Sequence, residues 1–111
     1  MKQNRTLLTV FLFLMSLGLF AATPIEDLLE RIDKGASRKI MTEMVSGDAD
    51  FFEITSRDGK PLVRGNNYVS IASGINWYLK YSVGVHLTWN SMHAKLPATL
   101  PLVQGVERHT T

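Results

Sequence analysis

The sequence has 111 residues, 45% hydrophobic and 20% charged, with no cysteine and a formal net charge of +2. That length allows one small domain and excludes a (β/α)8 barrel, which needs about 250 residues. The missing thiol excludes a disulfide framework and thiolate chemistry, and the ordinary composition argues against wholesale disorder.

Residues 1–22 read as a signal peptide. Lys2 and Arg5 precede an apolar run from Leu7 to Phe20, and Ala21, Ala22 and Thr23 follow it. A positive start, a short apolar stretch and small residues at its end are the marks of a secretory signal. The run is shorter than the ~20 apolar residues of a spanning helix. Leu19 and Phe20 sit where a small residue is preferred, so an uncleaved N-terminal anchor is the alternative. A lipoprotein anchor needs a cysteine that the chain lacks. Without Lys2 and Arg5 the chain holds ten basic and ten acidic residues, so the mature domain is expected to be neutral. No clustered basic patch argues for nucleic acid, and no membrane partner is expected after cleavage. Such a domain of about 89 residues buries roughly 60–65% of its unfolded surface, which implies modest stability.

Thr23-Pro24-Ile25-Glu26 is a helix start, with Thr23 as cap, Pro24 in the first turn and Glu26 completing a capping box. Ile25, Leu28, Leu29 and Ile32 fall on one apolar stripe, and Gly35 is the expected stop. Glu26, Asp27, Glu30 and Asp33 lie mostly off that stripe, on a solvated face. Ile40 to Val45 is ambiguous between strand and helix, with strand favoured. Residues 46–50 form a loop, in which Asp48 and Asp50 resemble a calcium-loop opening without its glycine and distal glutamate. Phe51 to Thr55 and Pro61 to Gly65 flank Asp58-Gly59, the residues of a tight hairpin turn. Pro61 has no N–H, so it belongs at the strand's start or on an edge.

Asn66 or Asn67 caps a second helix. Tyr68, Ile71, Ala72, Ile75, Tyr78 and Leu79 form its apolar stripe. Gly74 lies beside the stripe, where close approach to a sheet would justify it. Ser73, Asn76 and Lys80 face water, and Trp77 falls on the flank. Gly84 ends the helix. Val85-His86-Leu87-Thr88-Trp89 alternates as a strand, and the Leu-Pro pairs at 96–97 and 100–101 read as an extended tether.

Candidate chemistry is sparse. His86 and His93 lack the tighter spacing and additional ligands of a zinc site, and no metal or other cofactor is expected. Arg64-Gly65-Asn66-Asn67 stands between strand and helix, where anions bind, but lacks phosphate-loop spacing; a structural turn is the better reading. No Gly-x-Ser-x-Gly motif occurs, and none of the ten carboxylates marks a glycosidase pair. Trp77 and Trp89 are candidates for sugar stacking, although core or domain-interface packing is the commoner fate of such rings.

The segment Val63-Arg64-Gly65-Asn66-Asn67-Tyr68-Val69-Ser70-Ile71-Ala72-Ser73-Gly74-Ile75-Asn76-Trp77-Tyr78-Leu79-Lys80-Tyr81, then Gly84 to Trp89 and the two Leu-Pro pairs, resembles a known pattern. It is similar to the N-terminal domain of alpha-N-acetylglucosaminidases, glycoside hydrolase family 89. The match is strong over residues 63–101 and looser over the preceding hairpin. The resemblance implies a small accessory domain ahead of a catalytic (β/α)8 barrel and a helical C-terminal domain. In full-length members the barrel's two glutamates act as acid/base and nucleophile, releasing terminal α-linked N-acetylglucosamine with retention. No catalytic residue can be carried onto this chain. Several relatives have cysteines where Val83 and Val85 stand here, and these valines simply pack. Glu107 to Thr111 falls where a linker to the barrel is expected, so the chain reads as a truncated product or fragment.

The expected fold is therefore α+β: a small antiparallel-dominated sheet of about four strands with two helices packed on one face. The expected organisation is a signal peptide at 1–22, an accessory domain at 23–95 and an extended Pro-containing linker at 96–111. The expected role is that of a secreted, non-catalytic part of a hydrolase of carbohydrate metabolism. Its partners would be the missing barrel and an N-acetylglucosamine-containing glycan. The rival is a stand-alone secreted glycan- or protein-binding module with Trp77 and Trp89 as contacts.

Overall fold

The computed structural model describes residues 23–88 and 93–110. The expected signal peptide and Trp89 lie outside the described residues. Helix α1 spans Pro24–Ile32, and the short helix α2 spans Ala36–Lys39. Thr23 caps α1, its Oγ1 accepting from the Glu26 amide at 3.1 Å. Ile25, Leu29 and Ile32 are buried, and Leu28 packs beside them. The turn between the helices is clamped by Glu30, whose two oxygens accept from the amides of Gly35 (3.0 Å) and Ser37 (2.9 Å).

Four strands follow: β1 (Met41–Met44), β2 (Phe51–Arg57), β3 (Lys60–Gly65) and β4 (Glu107–Thr110). Their order is β1-β3-β2-β4. The β2–β3 and β2–β4 pairs are antiparallel, and β1 lies parallel to β3. The expected hairpin forms at Asp58 (φ 54°) and Gly59 (φ 74°), a two-residue turn with both φ values positive. Arg57 and Lys60 close that turn, so Ser56 and Pro61 form the next, non-hydrogen-bonded pair. The Pro61 nitrogen therefore points to the β1 side, one residue before β1 begins its pairing at Leu62. This is how a proline enters a central strand without removing a ladder bond.

Strand β3 lies between β1 and β2, so the connection at 45–50 must cross its end. Asn66 fastens that crossing. Its Oδ1 accepts from the Phe51 amide at 3.2 Å, while its Nδ2 donates to the carbonyls of Ala49 (2.9 Å) and Gly47 (3.4 Å). Asn67, the next residue, caps helix α3 (Tyr68–Tyr78), its Oδ1 accepting from the Ser70 amide at 2.8 Å.

Helix α3 packs on β2 and β3, burying Ile71, Ile75 and Tyr78. A Cβ on Gly74 would stand 2.6 Å from Val63 Cγ1 and 3.1 Å from Phe52 Cβ. The glycine is thus where the helix touches the sheet. Tyr68 departs from the expected stripe: it is exposed, while Ile71 in the same turn is buried. A π-helical turn, Leu79–Val83, extends α3 before Gly84.

The expected strand from Val85 to Trp89 is corrected. Residues 85–87 form no regular structure, and Thr88 makes only an isolated bridge. Val85 and Leu87 do pack against the core while His86 and Thr88 are exposed. The alternation reported which side chains turn inward, not a ladder. The fourth strand is instead β4, at residues expected to be linker. Before it, residues 94–105 lie across the body as a strap. The Ala94 amide donates to the Ile32 carbonyl (2.9 Å), and the Leu96 amide to Asp33 Oδ2 (2.8 Å). The Val103 amide donates to Ser56 Oγ (2.7 Å), and Thr55 Oγ1 to the Gly105 carbonyl (2.7 Å). Leu96 and Leu100 enter the core, and the Tyr78 hydroxyl donates to the Pro101 carbonyl. Burial pushes the Tyr78 phenol up to about 12.

Gly74→Ala should lower unfolding free energy by about 1–2 kcal/mol, because overpacking outweighs the gain in helix propensity. Urea denaturation measures it, and an unchanged midpoint would mean that α3 lifts off freely. Glu30 tests the clamp. Amide donation from Ser37, then Gly35, holds its carboxyl at about 2. A lowered carboxyl stabilises the fold above its ordinary value of 4.5, and that contribution is lost as pH falls toward 2. Glu30→Gln should be less stable than the parent at neutral pH, and the gap should close across that acid window in pH-dependent denaturation.

Candidate functional site

The last turns of α3 cross over β4 and make an aromatic corner. Trp77 is half-buried, with its ring centroid 4.1 Å from that of His109, 4.5 Å from Tyr81 and 6.1 Å from Phe52. Its Nε1–H donates to Glu107 Oε1 at 3.1 Å, and His109 Nε2 lies 2.9 Å from the same oxygen. The hydrogen bond with His109, and then that from Trp77, holds the Glu107 carboxyl below the usual carboxylate range. Tyr81 is exposed at the outer side of the corner, with Lys80 Nζ 5.1 Å from its ring centroid.

The sheet face away from α3 carries a row of ion pairs flanked by Phe51 and Leu62, both buried. The register aligns Glu43 with Arg64, Arg64 with Glu53, and Glu53 with Arg108, one residue from each strand. Glu53 pairs with Arg108 at 3.0 Å and with Arg64 at 3.3 Å. Glu43 pairs with Arg57 at 2.9 Å and with Arg64 at 3.8 Å. Arg108 also covers the Phe51 ring at 4.1 Å.

These partners limit the chemistry. Retaining glycosidases need two carboxyl groups about 5 Å apart across a pocket. Here Glu107 is tied to Trp77 and His109, Glu43 and Glu53 to arginines, and Glu30 to backbone amides. A groove of about 370 Å³ between α1 and α3 is lined by Leu28, Ile32, Ala72, Ile75 and their neighbours, and no carboxylate lines it. The Arg64–Asn67 turn is occupied by its own structure: Arg64 is ion-paired, Asn66 holds the loop, and Asn67 caps the helix. Asp50 accepts from Asn67 Nδ2 at 3.0 Å. His86 and His93 are exposed, and among the described residues no three His, Asp or Glu side chains gather as metal ligands.

Of the two tryptophans singled out from sequence, Trp77 is placed and Trp89 lies outside the described residues. Tyr81, Glu107 and His109 were not anticipated. Tyr81 follows Trp77 by four residues, a spacing that puts two helical side chains together. Glu107 and His109 carry no such signal, since only the pairing of β4 with β2 brings them there. Trp77→Phe keeps an aromatic ring and removes the Nε1–H donor, so the Glu107 pKa should rise toward the ordinary carboxylate value. Side-chain NMR titration checks this, and an unmoved Glu107 would mean that His109 alone lowers it.

Comparison with known proteins follows the same outline. The family model described as alpha-N-acetylglucosaminidase (NAGLU) N-terminal domain matches residues 23–102. A family 89 glycoside hydrolase from Clostridium perfringens, solved with 2-acetamido-1,2-dideoxynojirmycin, is similar at 35% identity and a TM-score of 0.69. The match covers 78% of this chain and 10% of that one. A substituted form of the Clostridium perfringens enzyme, solved with its substrate GlcNAc-alpha-1,4-galactose, gives 34% identity and a TM-score of 0.70 over the same shares of the two chains. This chain thus spans about a tenth of the length of those enzymes. No curated protein gives a significant match. The family match over 23–102, on a fold shared with family 89 hydrolases, means that the chain belongs to the alpha-N-acetylglucosaminidase N-terminal domain family.

Proposed function

We propose that this chain is the non-catalytic N-terminal accessory domain of a secreted alpha-N-acetylglucosaminidase. That enzyme would release terminal α-linked N-acetylglucosamine from a glycan. The observation that carries the reading is the family match over residues 23–102, set beside relatives about ten times longer. The carboxylates with assigned partners support it, because they serve ion pairs and turns. Secretion rests on the sequence of residues 1–22, and no helix among the described residues is long and apolar enough to cross a membrane. The organisation proposed is a signal peptide at 1–22 and an accessory domain that runs past residue 95, the boundary expected from sequence, through the strap and β4 before a catalytic barrel.

Within that reading Trp77 is a domain-interface residue, and its partner would be the barrel. Its ring is surrounded by His109, Tyr81 and Phe52, which favours packing over sugar stacking. One observation favours a second reading: Tyr81, beside Trp77, is an exposed aromatic ring of the kind that can stack on a sugar. The test begins with the coding sequence beyond the Thr111 codon. A continuous frame should encode a protein that hydrolyses an aryl α-N-acetylglucosaminide, while the 111-residue chain should not. Release of N-acetylglucosamine by the 111-residue chain above a mock preparation would overturn the accessory role. An inactive chain whose Trp fluorescence shifts saturably with a glycan would favour the binding module.

A further inference from the structure

We propose that the concavity between α2, the β2–β3 hairpin and the strap binds an organic oxyanion, a carboxylate, sulfate or phosphate carried on a small body such as a sugar. The concavity measures about 260 Å³. Arg38 and Lys39 line it from α2 and Lys60 from the start of β3, with Thr99 on the strap. Its remaining wall is apolar and includes Pro61 and Leu100, both buried.

The three cations reach one concavity from two separate elements. Arg57, Arg64 and Arg108 share the two carboxylates Glu43 and Glu53 on the other face of the sheet. Among the described residues Arg38, Lys39 and Lys60 make no salt bridge. Two acids lie near. Glu30 feels the field of Arg38, but both its oxygens are held by the Gly35 and Ser37 amides. Asp58 is exposed in the hairpin turn and makes no salt bridge with Lys60 among the described residues. Residues 1–22 and 89–92 contain no Asp or Glu, so neither stretch supplies a carboxylate side chain as counter-ion.

Arg38 and Lys39 alone would suit the C-terminal end of a helix, where cations offset backbone carbonyls. Lys60 has no such reason to be there; it arrives from a different element. Lys39 Nζ donates to the Pro97 carbonyl at 3.3 Å, which holds its charge at the rim. Arg38, Lys39 and Lys60 bring like charge to one hollow, and an entering anion would offset it. The concavity exceeds the size of one inorganic oxyanion, and its apolar wall offers nothing to a bare ion. A charged group on an organic body satisfies both halves.

The test is amide-resolved NMR titration of the full chain with four probes: a hexose phosphate, a hexose sulfate, the parent hexose and sodium sulfate. Saturable shifts at Lys39, Gly59, Lys60 and Thr99 are expected with the two sugar esters, weaker shifts with sulfate, and none with the neutral hexose. Lys60→Gln and Arg38→Gln should each weaken ester binding about three- to tenfold, and added salt should weaken it further. Both substitutions are at surface side chains, so the dispersion of the remaining spectrum reports whether the fold persists. Absence of saturable shifts at those amides would overturn the proposal. So would undiminished binding by the folded double variant, or sulfate binding as tightly as the esters.

Discussion

The contact between helix and sheet is made by a residue without a side chain. Gly74 lets α3 lie against Val63 and Phe52 at a distance that a Cβ would forbid. A helical glycine costs about 1 kcal/mol relative to alanine, and the apolar surface that it brings together offsets that. Ile71 and Ile75 bury on the sheet on either side of Gly74. One turn further on, Tyr78 reaches the strap at Pro101 and Trp77 reaches β4. Helix α1 then adds its stripe of Ile25, Leu29 and Ile32 to the same core.

The two faces of the sheet are held by different physics. Toward α3 the register sets Phe52 against Gly65 and Ile54 against Val63, an apolar surface. On the other face Glu43, Arg64, Glu53 and Arg108 alternate in sign across all four strands. Each such half-exposed pair contributes only about 0–1 kcal/mol. Their larger effect is on register. A one-residue slip of any strand would turn these charges into the core and the apolar row into water. The register of β1 on β3 is held in this way from both sides.

Much of this was legible in the residues. Thr23 and Asn67 capped their helices, Asp58-Gly59 turned the hairpin, and Gly74 marked the close approach. These are local rules, in which a residue type and a backbone conformation imply one another. Val85 to Leu87 showed the limit of such rules, since alternation fixes which side faces inward and says nothing of a pairing partner. Strand β4 showed it from the other direction. Glu107-Arg108-His109-Thr110 has no apolar alternation and takes its conformation from the free edge of β2. The aromatic corner depends on that strand, so Trp77 was visible early while its partners Glu107 and His109 were not. Residues 1–22 and Trp89 stand outside what the structure describes.

The position of β4 has a consequence for how the chain is made. The hairpin, β1 and α3 are complete once residues 41–78 have left the ribosome, but β2 gains its second neighbour only when residues 107–110 follow. At about 5–20 residues per second, that interval lasts several seconds. Throughout it a nascent chain presents the outer edge of β2, with its unpaired backbone groups and the rings of Phe51 and Phe52 close by. Such an edge is a template for pairing with another chain. The polar last strand, contributing almost nothing to the core, acts as the cover that ends this exposure.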